Sequence, residues 1–130
     1  MVKRIFVSYS FINKEKYRQL HEELLGYFSG KSIAVYAFVF DFRQKVDNKT
    51  LMENAFREIE KSDLLLAEAS DKSVGVGLEV GFAKAKQIKT AYLYKTGSEF
   101  QQTIAGVTDY FIEYKSASDI IDWFEKNAIL

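Results

Sequence analysis

Strand-like and helix-like patterns take turns along this chain from one end to the other. Ile5 to Tyr9 is a short run of β-branched and aromatic residues behind two basic ones, the pattern of a first buried strand. From Asn13 to about Phe28 the spacing becomes that of an amphipathic helix with the stripe Tyr17, Leu20, Leu24, Leu25 and Phe28, and Gly30 marks its end. Ile33 to Phe40 is apolar throughout and reads as a second strand with no wet face. The polar stretch Asp41–Lys49 is expected to be a mobile loop. Thr50 to Lys61 reads as the second helix and Asp63 to Ala69 as the third strand. A Ser/Gly loop then leads into a helix over Gly75–Gln87, followed by a strand over Lys89–Lys95 and a short helix over Glu99–Ala105. Tyr110–Tyr114 supplies a fifth strand, and Ser116 or Ser118 caps a last helix carrying Ile120, Ile121 and Phe124. Apolar strands alternating with helices call for a parallel sheet covered on both faces. The expected fold is therefore a single α/β domain over residues 1–130, a three-layer sandwich with a five-stranded, mostly parallel sheet, Rossmann- or flavodoxin-like.

Composition narrows the chemistry. With 18 basic and 18 acidic residues there is no global field to draw a nucleic acid polymer or an anionic membrane. Cysteine is absent, which removes disulfides, thiolate ligands and a cysteine nucleophile together. His21 is the only histidine, so no multi-histidine metal site can form, and its place in a helix suggests a solvated surface residue. The first apolar run is too short for a signal peptide, and no stretch reaches the ~18 apolar residues of a membrane span, so a cytoplasmic protein is expected. Neither a metal nor a cofactor is called for.

Ligands of open parallel sheets bind at the carboxyl ends of the strands, near the switch in strand order. The turn that leads from the third strand into the third helix reads Ala67-Glu-Ala-Ser-Asp-Lys-Ser-Val-Gly-Val-Gly-Leu-Glu-Val-Gly-Phe-Ala83. Gly75, Gly77 and Gly81 allow unusual backbone angles or close approach, and Ser70 and Ser73 beside free helix-start amides suit a phosphate or sugar hydroxyl. Glu79 is the only charged residue from Val74 to Ala83. A carboxylate in such surroundings is costly to desolvate unless it is paired or useful. The helix N-terminus is expected to help hold it ionised. Two readings stand on this chemistry: a nucleophile that attacks a sugar C1′, or a helix glutamate satisfied by amides or a lysine.

Asp63-Leu-Leu-Leu-Ala-Glu-Ala-Ser70 followed by Ser73-Val-Gly-Val-Gly-Leu-Glu-Val-Gly-Phe-Ala83 resembles the signature of the nucleoside 2-deoxyribosyltransferase superfamily, which includes the 2′-deoxynucleoside 5′-phosphate N-hydrolases. The resemblance implies a nucleotide N-glycosidase or deoxyribosyltransferase in which Glu79 is the nucleophile, Tyr9 orients it, and Ser73 contacts the phosphate or sugar end. It also implies a homodimer or higher assembly, in which a neighbouring subunit completes the pocket. Ser8, Ser10, Glu68, Ser70, Gly75 and Gly77 are the further candidates for binding a nucleoside or nucleotide. Two departures accompany the match. The family's Gly-Ser-Ile-Arg-like turn, which holds a 5′-phosphate, is here Ser8-Tyr-Ser-Phe-Ile-Asn13 without an arginine, though Lys14 could supply a point charge. The family's helix-two aspartate falls on Ala55, with Asp47, Glu53 and Glu58 as the nearby acids. Arg4-Ile-Phe-Val-Ser-Tyr-Ser10 also resembles the opening of TIR-type domains, some of which cleave the glycosidic bond of NAD while others only bind partners. In both resemblances Glu79 is the acid.

Overall fold

The computed structural model describes residues 1–130. Its strands are β1 (Arg4–Ser8), β2 (Ala34–Tyr36), β3 (Leu64–Glu68), β4 (Lys89–Lys95) and β5 (Tyr110–Tyr114). They form one sheet in the order β2-β1-β3-β4-β5, and every pairing is parallel. The helices are α1 (Arg18–Gly30, entered through a 3-10 turn at Lys14–Tyr17), α2 (Phe38–Asp41), α3 (Asn48–Glu60), α4 (Val74–Ala85), α5 (Gln102–Ala105) and α6 (Ala117–Lys126). The expected three-layer α/β sandwich is thus formed, with the strand order of a flavodoxin-like sheet. No helix is long and apolar enough to cross a membrane.

Side chains alternate across each strand, and this alternation sorts the interior into two cores. Ile5 and Val7 of β1, Leu64 and Leu66 of β3, and Leu93 of β4 face α1 and α6, where they meet Leu24, Phe28, Ile120 and Phe124. Phe6, Leu65, Ala67 and Tyr92 face the other way, against Ile59 of α3 and Val76, Val80 and Ala83 of α4. The helix starts are capped as their sequences suggest. The Asp47 carboxylate accepts from the Thr50 N–H at 2.8 Å, Ser73 from Val76 at 3.2 Å, and Ser116 rather than Ser118 forms a capping box with Asp119.

Three expectations are corrected. The run Ile33–Phe40 is not one strand: only Ala34–Tyr36 pair with β1, and the chain then coils into α2. As an edge strand β2 has a partner on one side only, and Asp41 folds back to accept from the Ala37 N–H at 2.8 Å, which closes a helical turn. Phe40 thereby lands on the Tyr9 and His21 rings, covering the end of the sheet. The polar connection shortens accordingly to residues 42–47. Leu25 faces solvent, and its expected place in the α1 core is taken by His21, which is buried rather than solvated.

Candidate active site

The strand order reverses between β1 and β3, where one connection leads to one face of the sheet and the next to the other. The crevice outside their carboxyl ends is the general ligand site of such sheets. Ser8 ends β1, Glu68 ends β3, and α4 starts just beyond β3, so nearly every candidate residue falls at this edge.

Glu79 lies in the second turn of α4 with its side chain turned inward, 9% exposed. Its Oε1 accepts the Ser8 hydroxyl, and Oε2 has no partner within the chain. Arg4 Nε is the only fully enclosed side-chain polar atom without a partner, so Oε2 keeps some access to solvent. Burial pushes the Glu79 carboxyl up to about 7, and the Ser8 hydrogen bond pulls it part of the way back. The expected help from the helix N-terminus is absent. That field falls off within the first turn, and Glu79 lies beyond it.

Strand alternation decides which candidates meet. Ser8 shares a face with Phe6 and therefore looks toward α4, whereas Tyr9 points to the opposite side. The contact to Glu79 expected of Tyr9 is made by Ser8. The Tyr9 hydroxyl instead meets His21 Nδ1 at 3.1 Å, and its ring stacks on Tyr17. Burial lowers the His21 pKa and raises that of Tyr9. Glu68 also projects toward the Tyr9 side. Its carboxylate accepts from the Ser70 N–H at 2.8 Å, the Ser70 hydroxyl at 2.7 Å and the Tyr114 hydroxyl. Ser70 in turn accepts the Lys95 N–H at 2.8 Å, so both residues are engaged in joining β3 to β4. Ser10 is buried and accepts from Asn13 at 3.4 Å.

The glycines play a different part from the one their sequence suggests. Gly75, Gly77 and Gly81 are helical, and Gly97 is the only glycine with a positive φ. A Cβ at Gly77 or Gly81 would meet nothing within 4 Å. These positions leave the α4 surface open and require no special backbone angle. Ser73 caps the helix, while the N–H groups of Val74 and Gly75 have no partner within the chain.

Ala55, at the family's aspartate position, is buried; of the acids nearby, Asp47 is committed to its cap, Glu58 pairs with Arg4, and Glu53 is exposed. Residues that sequence reasoning passed over tie the crevice loops together. Asp71 accepts from Lys16 at 2.8–3.0 Å and from the Tyr17 hydroxyl, joining the loops after β1 and β3. Gln101 Nε2 donates to the carbonyls of Ala69 at 2.5 Å and Asp71 at 2.8 Å, adding the loop after β4. Nothing local in the sequence marks these residues, because each partner is far away along the chain.

No family profile matches the chain. It is 31% identical over 101 residues, 74% of this chain and 71% of the relative, to a Syntrophotalea carbinolica protein assigned as 2′-deoxynucleoside 5′-phosphate N-hydrolase 1. At that identity and coverage the chain belongs to the same family as that relative, within the nucleoside 2-deoxyribosyltransferase superfamily. Solved structures show the same fold. The Clostridium botulinum CMP N-glycosidase BcmB superposes with a TM-score of 0.74 at 20% identity, covering 96% of this chain and 100% of that one. The 2-deoxyribosyltransferase of Bacillus psychrosaccharolyticus gives 0.70 at 14% identity over 90% and 89%.

Proposed function

We propose that this protein cleaves the N-glycosidic bond of a nucleoside or nucleotide, with Glu79 as the nucleophile. One observation carries the reading: a buried carboxylate, held by one oxygen and free at the other, stands at the strand-order switch of a chain whose relative bears the name of a nucleotide N-hydrolase. In this reading Oε2 attacks C1′ as the C1′–N bond breaks, and the bond's electron pair leaves with the base, which takes a proton from solvent. Water then displaces Glu79 from C1′ and loses a proton, restoring the carboxylate. A second base in place of water would make the same site a transferase. Ser73 and the free N–H groups of Val74 and Gly75 are the groups offered to a sugar or phosphate oxygen.

Attack requires the carboxylate form. With the Glu79 carboxyl pushed up to about 7, activity of the free enzyme rises as pH climbs through that value and falls below it. The solvent side of α4 carries Val74 and Leu78, 82% and 51% exposed, beside Gly81. A second copy of the chain resting on this face would wall the crevice. Sedimentation should then find a dimer, and a fully active monomer would discard that part of the reading.

The test of the reaction is direct. Deoxynucleosides, deoxynucleoside 5′-monophosphates, CMP and NAD are incubated with the protein, and free base is followed by chromatography beside Glu79→Ala. Base released by the native chain and lost in the variant is the expected result. Release that survives the substitution removes Glu79 as nucleophile, and no release from any of these substrates removes the enzyme reading.

A further inference from the structure

The geometry points to Ser8 as a positioning residue that pins one oxygen of Glu79 and leaves the other to attack. This rests on the reading of Glu79 as nucleophile. Ser8 is the last residue of β1, 1% exposed, with its side chain on the α4 face of the sheet. A hydroxyl so enclosed is poorly placed to bind substrate. Its hydrogen goes to Glu79 Oε1, from a residue 71 positions away.

No other charge shares the task. Burial raises the Glu79 carboxyl, and the hydrogen bond from Ser8 opposes that rise. On α3, Glu58 and Glu60 pair with Arg4, Lys61 and Lys86, Arg57 turns to Asn54, and Lys49 and Glu53 are exposed. On β3, Glu68 projects to the opposite face, where Ser70 and Tyr114 hold it. On β4, the Tyr92 hydroxyl is turned to the Gln101 N–H, Lys89 pairs with Asp109, Tyr94 packs against Phe100, and Lys95 is exposed. The Gln-Thr-Ile-Ala segment of α5 has no titratable group, and α4 itself adds only Lys84 near its far end.

A hydrogen bond donated to a carboxylate stabilises the charged form over the acid. Held at Oε1, Glu79 presents the lone pairs of Oε2 to C1′. When the glycosyl ester forms, Oε1 becomes its carbonyl oxygen and can keep the same hydrogen bond. When water breaks the C1′–Oε2 bond, the electron pair returns to a carboxylate that Ser8 is already placed to stabilise. Loss of the hydroxyl should therefore alter the acidity of Glu79 and the turnover step while leaving substrate affinity nearly unchanged.

The experiment uses the full chain with Ser8→Ala and Ser8→Thr, each checked for native circular dichroism and melting. The Glu79 carboxyl is titrated by carbon-13 NMR without substrate, its signal assigned by its absence in Glu79→Gln. In Ser8→Ala the midpoint should rise by about one pH unit, a roughly tenfold smaller dissociation constant, with the acidic limb of base release displaced equally. At pH 7 kcat should fall by roughly tenfold with KM within about twofold, and threonine should restore both. If Ser8→Ala does not fold, Ser8→Cys keeps the side-chain shape with a much weaker donor and carries the same direction of change. An unmoved titration in a folded variant overturns the proposal, and so does a loss confined to KM. Base release that survives Glu79→Gln overturns the nucleophile reading instead, and the NMR titration keeps the two failures apart.

Discussion

Glu68 and Glu79 lie eleven positions apart, and both bury a carboxylate at the same edge of the same sheet. Their surroundings differ by the number of donors supplied. Glu68 faces the α1 and α6 side and collects hydrogen bonds from the Ser70 backbone, the Ser70 hydroxyl and Tyr114, with Tyr17 close by. Glu79 faces the α3 and α4 side and has Ser8 alone. Burial raises both carboxyls, but at Glu68 several donors oppose the rise, while at Glu79 there is one. A buried polar group with all its partners acts as framework, and one left short of partners stays available for chemistry. The contrast teaches that depth of burial alone does not tell these two acids apart; the count of satisfied lone pairs does.

The comparison can be broken most sharply at the reaction. Glu79→Gln keeps the shape and the Ser8 contact but cannot attack, so base release should fall at least about a thousandfold in a folded protein. Residual turnover near the native rate would erase the distinction between the two acids. Glu68→Ala should act on the opposite property. It leaves Tyr114 and Ser70 without their acceptor and should cost about 3–4 kcal/mol in urea unfolding. A stable Glu68→Ala chain would show that the donor network carries little of the fold.

Glu79 should show the reverse sign in stability. Its carboxyl ionises at about 7 when folded against an ordinary value of 4.5, so between those values the folded chain binds more protons than the unfolded one. The contribution of Glu79 to native stability therefore falls as pH rises from 4.5 to about 7. Glu79→Gln should escape this loss, gaining on the order of 3 kcal/mol over the native chain at pH 8 and almost nothing at pH 4.5. Equal unfolding midpoints at pH 8 would mean that the buried carboxylate is not costly. The smallest effect belongs to Tyr9→Phe, which removes the contact to His21 and should cost about 1 kcal/mol. It should leave the acidic limb of the activity profile in place, because Tyr9 does not touch Glu79. A displaced limb would show that the two faces of the sheet communicate.

Much of this was legible along the chain. The alternation of apolar strands with amphipathic helices determined the layers, and the placement of Glu79 amid glycine and apolar residues singled it out as an unusual acid. Composition removed cysteine chemistry and multi-histidine metal sites from consideration. The tertiary structure decided the remainder, for reasons that are local in space and remote in sequence. Ile33–Phe40 became a short strand plus a helical turn because an edge position offers pairing on one side only. His21 went inside because Phe40 and Tyr9 close over it. Ser8 rather than Tyr9 reached Glu79 because the pleat of β1 and the order β2-β1-β3 put Ser8 on the side where α4 packs, a juxtaposition that depends on register and strand order and leaves no mark on the residues around either partner.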